Sequence, residues 1–178
     1  TISETGAKVI QLHTGGMCHL DADMTRQGLL ELDTSDVDLA ILENVGNLVC
    51  PAEFDTGAVK NAMILSVPEG DDKPLKYPLM FQVCQCLLIN KIDVLPYFDF
   101  DLEECKKRVL KLNPDMKIIL FGCMMQEPQV VEKIKKTYSF VNLVFGTHNI
   151  FKFAELFYDM LLSDMQIVDI WEGTDQIV

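Results

Sequence analysis

Cys18 and His19 stand side by side, and a second thiol, Cys50, lies in the run Glu43-Asn44-Val45-Gly46-Asn47-Leu48-Val49-Cys50-Pro51-Ala52-Glu53-Phe54-Asp55. Two thiols and an imidazole are soft or borderline donors, the set that a transition-metal ion selects. The run Leu39-Ala40-Ile41-Leu42 ahead of Cys50 is expected as a fully buried strand, and Ala7 to His13 ahead of Cys18 as another. Parallel sheets present their chemistry past the carboxyl ends of such strands. Taken singly, the same residues admit a plainer reading, since a free cysteine is often core and a histidine at a helix start can serve as a cap. On the residues alone both readings stand.

The elements that must position these donors follow from the breakers around them. Thr14-Gly15-Gly16 turns the chain so that Cys18 and His19 project. Leu20, Met24, Leu29, Leu30 and Leu32 then recur at near-helical spacing, with Asp21 and Asp23 in the first turn, where the helix dipole favours acids. Val59 to Val67 is expected as a buried strand and Leu79 to Val83 as a short helix. Cys84 to Ile89 is a further buried strand, ending in Asn90-Lys91-Ile92-Asp93. That ending matches the guanine-reading motif of GTPases, in which the Asp carboxylate accepts from the base N1–H and exocyclic amine that adenine lacks. Asp99 to Leu112 forms a helix with acids first and Lys106, Lys107, Arg108 and Lys111 late. Asn113-Pro114 ends it, and Lys117 to Phe121 is the next strand. Beyond lie an expected helix at about Pro128 to Thr137, a strand at Leu143 to Phe145, a helix at about Ile150 to Leu162 with Phe153, Leu156, Phe157 and Met160 on one face, and a short strand at Ile167 to Ile170. The alternation implies an α/β fold: a mostly parallel sheet of five to six strands with helices on both faces.

Composition narrows the function classes. The net charge is −12 with a pI near 4.5, and the basic clusters are short. A nucleic-acid partner is not expected, because phosphate neutralisation needs a basic face. No stretch reaches the roughly 18 apolar residues of a membrane span. Six cysteines, two of them inside the apolar run that holds Cys84 and Cys86, suit a reducing compartment, so a cytoplasmic location is expected.

From Gly6 to about Lys117 the sequence resembles the nickel-insertion GTPases that mature [NiFe] hydrogenases, relatives of the urease accessory GTPases. The runs that carry the resemblance are Cys18-His19-Leu20-Asp21-Ala22-Asp23-Met24, Glu43 to Asp55, Glu69-Gly70-Asp71-Asp72-Lys73-Pro74-Leu75-Lys76-Tyr77-Pro78, and Asn90-Lys91-Ile92-Asp93. The resemblance implies a P-loop-GTPase-like fold, here without the P-loop strand. It implies Cys18, His19 and Cys50 as ligands to Ni²⁺ or Zn²⁺ at a subunit interface, hence a possible homodimer. Asn90, Lys91 and Asp93 become the contacts to GTP or GDP with Mg²⁺, and Lys73 a candidate near the nucleotide. The other maturation proteins and the hydrogenase large subunit are the implied partners. The sequence nowhere contains Gly-x-x-x-x-Gly-Lys-[Ser/Thr], the loop whose amides cradle phosphates. In the family that loop lies upstream of the point matching Thr1, so a fragment or a broken gene product is expected, with little GTP turnover.

From about residue 118 the sequence resembles the N-terminal domain of the radical-SAM tRNA methylthiotransferases. The matching runs are Phe121-Gly122-Cys123-Met124-Met125-Gln126, Val130 to Lys136, and Phe140 to Asn149. In that family the cysteine matching Cys123 is one of three ligands to a [4Fe-4S] cluster. Its partner motifs are absent here, and one thiolate does not hold such a cluster, so none is expected. His148 reads as a turn or helix-start residue. The expected organisation is a GTPase-like portion, 1–117, joined smoothly to a methylthiotransferase-like portion, 118–178, in one composite sheet. The leading expectation for function is a nickel- or zinc-binding, guanine-recognising domain of metallocentre assembly. The alternatives are an iron–sulfur tRNA-modifying enzyme fragment and an inactive fusion.

Overall fold

The computed structural model describes residues 2–122, 132, 134, 136–146, 152–163 and 167–168. The chain divides into two compact units, Thr1–Lys60 and Asn61–Val178.

The first unit is built from loops around two helices, α1 (Ala22–Leu32) and α2 (Cys50–Glu53). Asp21 starts α1 by accepting the Met24 N–H at 2.9 Å, satisfying one of the orphan donors of the first turn. The helix thus begins two residues later than the leucine spacing suggests. Leu20 is buried outside it, while Leu29 and Leu30 face solvent. Gly28 is the one fully buried residue of α1. A Cβ there would stand 2.7 Å from Leu12 Cδ2, so glycine admits the 7–13 segment against the helix.

Two expected strands are absent from this unit. Ala7 to His13 joins no ladder, and its Lys8 instead donates to the Asp33 carbonyl at 2.8 Å and pairs with Asp36. Leu39 to Leu42 is neither a strand nor buried: Leu39 is 75% and Ile41 86% exposed. Apolar content makes a four-residue run eligible for a buried strand, but only a neighbouring ladder makes it one. Among the described residues the ladders link five strands, and neither segment is among them.

The second unit carries that sheet: β1 (Ala62–Ser66), β2 (Cys86–Asn90), β3 (Lys117–Phe121), β4 (Leu143–Phe145) and β5 (Ile167–Val168), all parallel and adjacent in chain order. Helices α3 (Lys73–Lys76) and α4 (Pro78–Val83) connect β1 to β2, α5 (Leu102–Leu112) connects β2 to β3, and α6 (Phe153–Ser163) connects β4 to β5. The first strand is shorter than the apolar run that announces it, and Val59 is 92% exposed. Register sets the faces. Met63, Leu65, Leu87, Ile89, Ile118, Leu120 and Val144 alternate onto one face and are buried throughout. On the other, Cys86, Ile119, Leu143 and Phe145 pack with Phe153 and Leu156 of α6, the Phe145 and Phe153 rings 5.0 Å apart.

Helix α5 forms for the reasons its sequence gives. Asp101 caps it by accepting the Glu104 N–H at 3.0 Å, and Leu102, Cys105 and Val109 recur on the buried stripe. Asn113 closes it and donates to the Cys84 carbonyl at 2.8 Å, tying the helix end to the start of β2. Of the elements expected late in the chain, β4 and α6 lie as expected. The expected Pro128 to Thr137 helix falls largely outside the described residues, as do Cys123, His148, residues 169–170 and the side chains of Phe157 and Met160.

Candidate functional site

The Cys18 segment is set by the turn before it. Gly15 and Gly16 both take positive φ, 63° and 93°, which side chains disfavour, and the Met17 N–H closes the turn on the Thr14 carbonyl at 3.2 Å. This leaves Cys18 exposed and His19 buried at 8% exposure. The imidazole lies flat on the Phe54 ring, centroids 3.5 Å apart and planes 9° from parallel. Helix α1 is capped by Asp21, so the helix-cap reading of His19 does not hold.

Of the three sequence-derived donors, Cys18 and His19 are neighbours and Cys50 lies on the loop that Asn47 ties to Cys18. Cys18 Sγ lies 4.0 Å from His19 Nδ1. The neighbouring Cys18 thiol, followed by burial and the nearby charges, pushes the Cys50 thiol above its ordinary pKa. Among the described residues no group of three His, Cys, Asp or Glu side chains is placed to hold a metal ion, so Cys18 and His19 stand as a pair with Cys50 on the neighbouring loop. Two thiols and an imidazole fit a soft or borderline divalent ion, and each must shed any proton to bind.

Two asparagines hold the Cys18 and Cys50 loops together, a support that residue type and spacing do not signal. Asn44 Oδ1 accepts the Leu20 N–H at 3.0 Å and the Val45 N–H at 2.8 Å. Asn47 Nδ2 donates to the Cys18 carbonyl at 2.7 Å, while its Oδ1 accepts the N–H groups of Val49 and Cys50, each at 3.0 Å. An asparagine beside a glycine reads as a turn former; only the fold reveals a bridge across 29 positions.

The other cysteines differ in kind. Cys84, Cys86 and Cys105 are buried, and burial pushes their thiols up to about 11, about 12 and about 12. A thiol so held is a poor ligand.

In the second unit, Asn90 ends β2 and its Oδ1 accepts the Lys91 N–H at 2.6 Å. Lys91 sits in the left-handed region at φ 58°, uncommon for a residue with a side chain and the kind of local strain that collects at ligand sites. Ile92 buries its side chain beneath the turn, and Asp93 follows. Gly122, just past β3, packs against this turn: a Cβ there would stand 2.9 Å from Asp93 Oδ1 and 3.1 Å from the Ile92 nitrogen. Asn90, Lys91 and Asp93 are thus gathered in one turn at the carboxyl edge of the sheet. Lys73 is not joined to them by a hydrogen bond or ion pair; on α3 its ammonium lies over the Tyr77 ring, 5.6 Å from the centroid. The loop before it is anchored by Asp71, which accepts the Arg108 guanidinium at 2.6 Å and the Asp101 N–H at 2.7 Å.

A family model described as CobW/HypB/UreG, nucleotide-binding domain, matches residues 1–120. The chain belongs to the CobW/HypB/UreG family. Among curated CobW/HypB/UreG proteins, it is 50% identical over 118 residues to the hydrogenase maturation factor HypB of Azotobacter vinelandii, covering 66% of this chain and 39% of that one. It is 47% identical over 126 residues to HypB of Escherichia coli K12, covering 71% and 43%. The chain therefore spans about two fifths of the length of these relatives. Two solved HypB structures share its fold. The Archaeoglobus fulgidus protein superposes with a TM-score of 0.63 at 39% identity, over 68% of this chain and 59% of that one. The Helicobacter pylori protein, solved in complex with nickel, gives 0.65 at 32%, over 96% and 71%.

Proposed function

We propose that this chain binds one Ni²⁺ or Zn²⁺ ion through Cys18, His19 and Cys50, as cargo for metallocentre assembly, and reads guanine through Asn90, Lys91 and Asp93. The observation that carries the proposal is the gathering of the three donors on two joined loops: Cys18 Sγ lies 4.0 Å from His19 Nδ1, and Asn47 ties the Cys18 carbonyl to the Cys50 N–H. Loss of the thiol protons frees both sulfurs to turn onto one cation beside the imidazole. Three protein ligands leave a position open on the metal, and an open position lets a delivery protein hand its ion on. The donor set suits either ion; relatives named as hydrogenase maturation factors, one solved with nickel, favour nickel.

Within this reading the acceptor is the [NiFe] hydrogenase large subunit, working with other maturation proteins in the cytoplasm. Metal binding would favour a homodimer. GTP or GDP with Mg²⁺ is the nucleotide, and Lys73 stays a candidate contact to it. The sequence carries no phosphate-cradling motif, and phosphoryl transfer depends on the positioning and charge that such a loop supplies, so the 178-residue chain should turn over GTP negligibly. Strands β4 and β5 extend the sheet beyond the residues matched by the family model. The iron–sulfur alternative draws no support from the relatives.

Equilibrium dialysis against Ni²⁺ and Zn²⁺ tests the metal assignment. One ion per parent chain, lost when Cys18, His19 and Cys50 are all changed to Ala, is expected. Unchanged stoichiometry in the triple variant would overturn it and pass attention to Cys84, Cys86 and Cys123.

A further inference from the structure

We infer that Asn47 is a positioning residue for the metal ligands: its one carboxamide clamps the backbone of Cys18 to that of Cys50 and so sets the spacing of the two thiols. The inference rests on the metal reading above. The clamp itself rests on three hydrogen bonds. Asn47 Nδ2 donates to the Cys18 carbonyl at 2.7 Å, and Oδ1 accepts from Val49 and Cys50 at 3.0 Å each.

The chemistry requires an amide. A carboxamide is the short side chain that offers N–H donors and a carbonyl acceptor at once. The acceptor end folds back two residues to the Val49 N–H, the local pattern that turns a chain into a helix start, and reaches the first N–H of α2 at Cys50. Val49, the residue preceding α2, makes no side-chain cap of its own, and Pro51 brings no N–H to that turn. Asn47 Oδ1 therefore supplies the cap that Val49 does not. The donor end crosses to the other ligand loop, 29 positions away. Asn44 braces the same pair of loops one step further out, through the Leu20 N–H rather than through a ligand residue. Groups that orient metal ligands in this way typically cost 10- to 100-fold in metal affinity when removed.

Substitution separates the two ends of the clamp. Asn47→Asp keeps the acceptor that caps Cys50 but places a carboxylate oxygen against the Cys18 carbonyl. Asn47→Ala loses both ends. Asn44→Ala leaves the clamp intact. Competition with a chromophoric chelator for Ni²⁺ should show Asn47→Asp and Asn47→Ala weakened at least about 10-fold, with Asn44→Ala closer to the parent. The Ni²⁺–thiolate charge-transfer band should shift in the two Asn47 variants, a change that a general loss of stability would not produce.

A second readout needs no metal. In a glutathione redox buffer, the Cys18 and Cys50 thiols together reduce one glutathione disulfide to two glutathione thiols as their own S–S bond forms. The fraction bonded reports how often the sulfurs meet. The Cys18–Cys50 disulfide, identified by peptide mapping, should form at an effective concentration about 10-fold lower in Asn47→Ala than in the parent, by the same margin as the metal affinity. Equal effective concentrations, or metal affinity unchanged in both Asn47 variants, would overturn the inference. A parent chain that binds no metal would instead overturn the metal reading, and the thiol exchange would still decide whether Asn47 holds the two sulfurs together.

Discussion

The two candidate sites are built by opposite means. The turn at Asn90 to Asp93 hangs from the carboxyl end of a β-strand whose residues pair on both sides, Ser66 with Asn90 and Ile89 with Leu120. Its position is over-determined by many backbone hydrogen bonds, so no single side chain sets it. The Cys18–Cys50 site has no ladder beneath it. Its loops are held by Asp21, Asn44 and Asn47, three side chains with one or two acceptor roles each. A site held by a sheet is rigid and tolerant of substitution around it; a site held by side-chain amides is exposed to single changes and freer to move. Such freedom suits a site whose task would be to bind an ion and release it.

The comparison is most severely tested by attacking the sheet unit where it is densest. Phe81 is fully buried in α4, and Phe81→Ala should cost about 3–5 kcal/mol from the lost burial and the cavity left behind. Urea unfolding would register this as a lowered midpoint at unchanged slope. A loss below about 1 kcal/mol would mean the core is looser than its burial implies.

A smaller effect is expected at the rim of the nucleotide turn. Gly122→Ala would drive a Cβ to 3.1 Å from the Ile92 backbone nitrogen, which cannot rotate away, and to 2.9 Å from Asp93 Oδ1. Overpacking of this kind costs about 1–3 kcal/mol. On the proposed assignment of Asp93 to guanine, it should also erode a preference for GTP over ATP in a titration. Base contacts alone leave the parent's affinity weak, near ~1 mM. Equal GTP and ATP binding by the parent would refute the guanine assignment; an unaltered preference in the glycine variant would free Gly122 from any part in it.

The gentlest probe costs no stability and sharpens the contrast between the thiols. Alkylation at about pH 8 should modify exposed Cys18 first and Cys50 more slowly, since the neighbouring Cys18 thiol and burial hold its proton. Cys84, Cys86 and Cys105, with thiols held at about 11 to 12 by burial, should stay unmodified in the folded chain and react only with denaturant. The sign follows from the direction of the shifts. Folded, these three groups keep their protons well above the ordinary thiol value of 9.0, so raising the pH modestly accelerates the exposed site and not the buried ones. Rapid modification of Cys86 in the native chain would contradict the packing of the sheet.

The sheet unit was legible in the sequence because its strands are apolar runs bounded by breakers and its helices carry their own stop signals. Lys117 to Phe121 and Leu143 to Phe145 emerge with the expected bounds, and α5 only loses its first residues to the Asp101 cap. The first unit was less legible. Leu39 to Leu42 satisfies every local criterion for a buried strand and is not one, because pairing is a property of neighbours and not of the run itself. The candidates Cys18, His19 and Cys50 come from residue type and resemblance, and the structure sets Cys18 Sγ 4.0 Å from His19 Nδ1 with Cys50 on the loop joined to Cys18 through Asn47. Their support was invisible: Asn44 and Asn47 sit in a glycine-containing loop where asparagine ordinarily means a turn, and their partners at Leu20 and Cys18 lie more than twenty positions away. Gly122 was equally silent, since its role arises from the approach of β3 to a turn on the neighbouring strand.

The central claim, that two cysteines and one histidine of this loop-built unit share a single cation, is tested most directly by X-ray absorption at the zinc edge of the loaded chain. Two sulfur scatterers at about 2.3 Å beside a nitrogen and oxygen shell of similar size at about 2.0–2.1 Å are expected, and the sulfur shell should vanish in the chain carrying Cys18→Ala and Cys50→Ala together. A first shell of oxygen and nitrogen alone in the parent, or a sulfur shell that survives the double substitution, would contradict it.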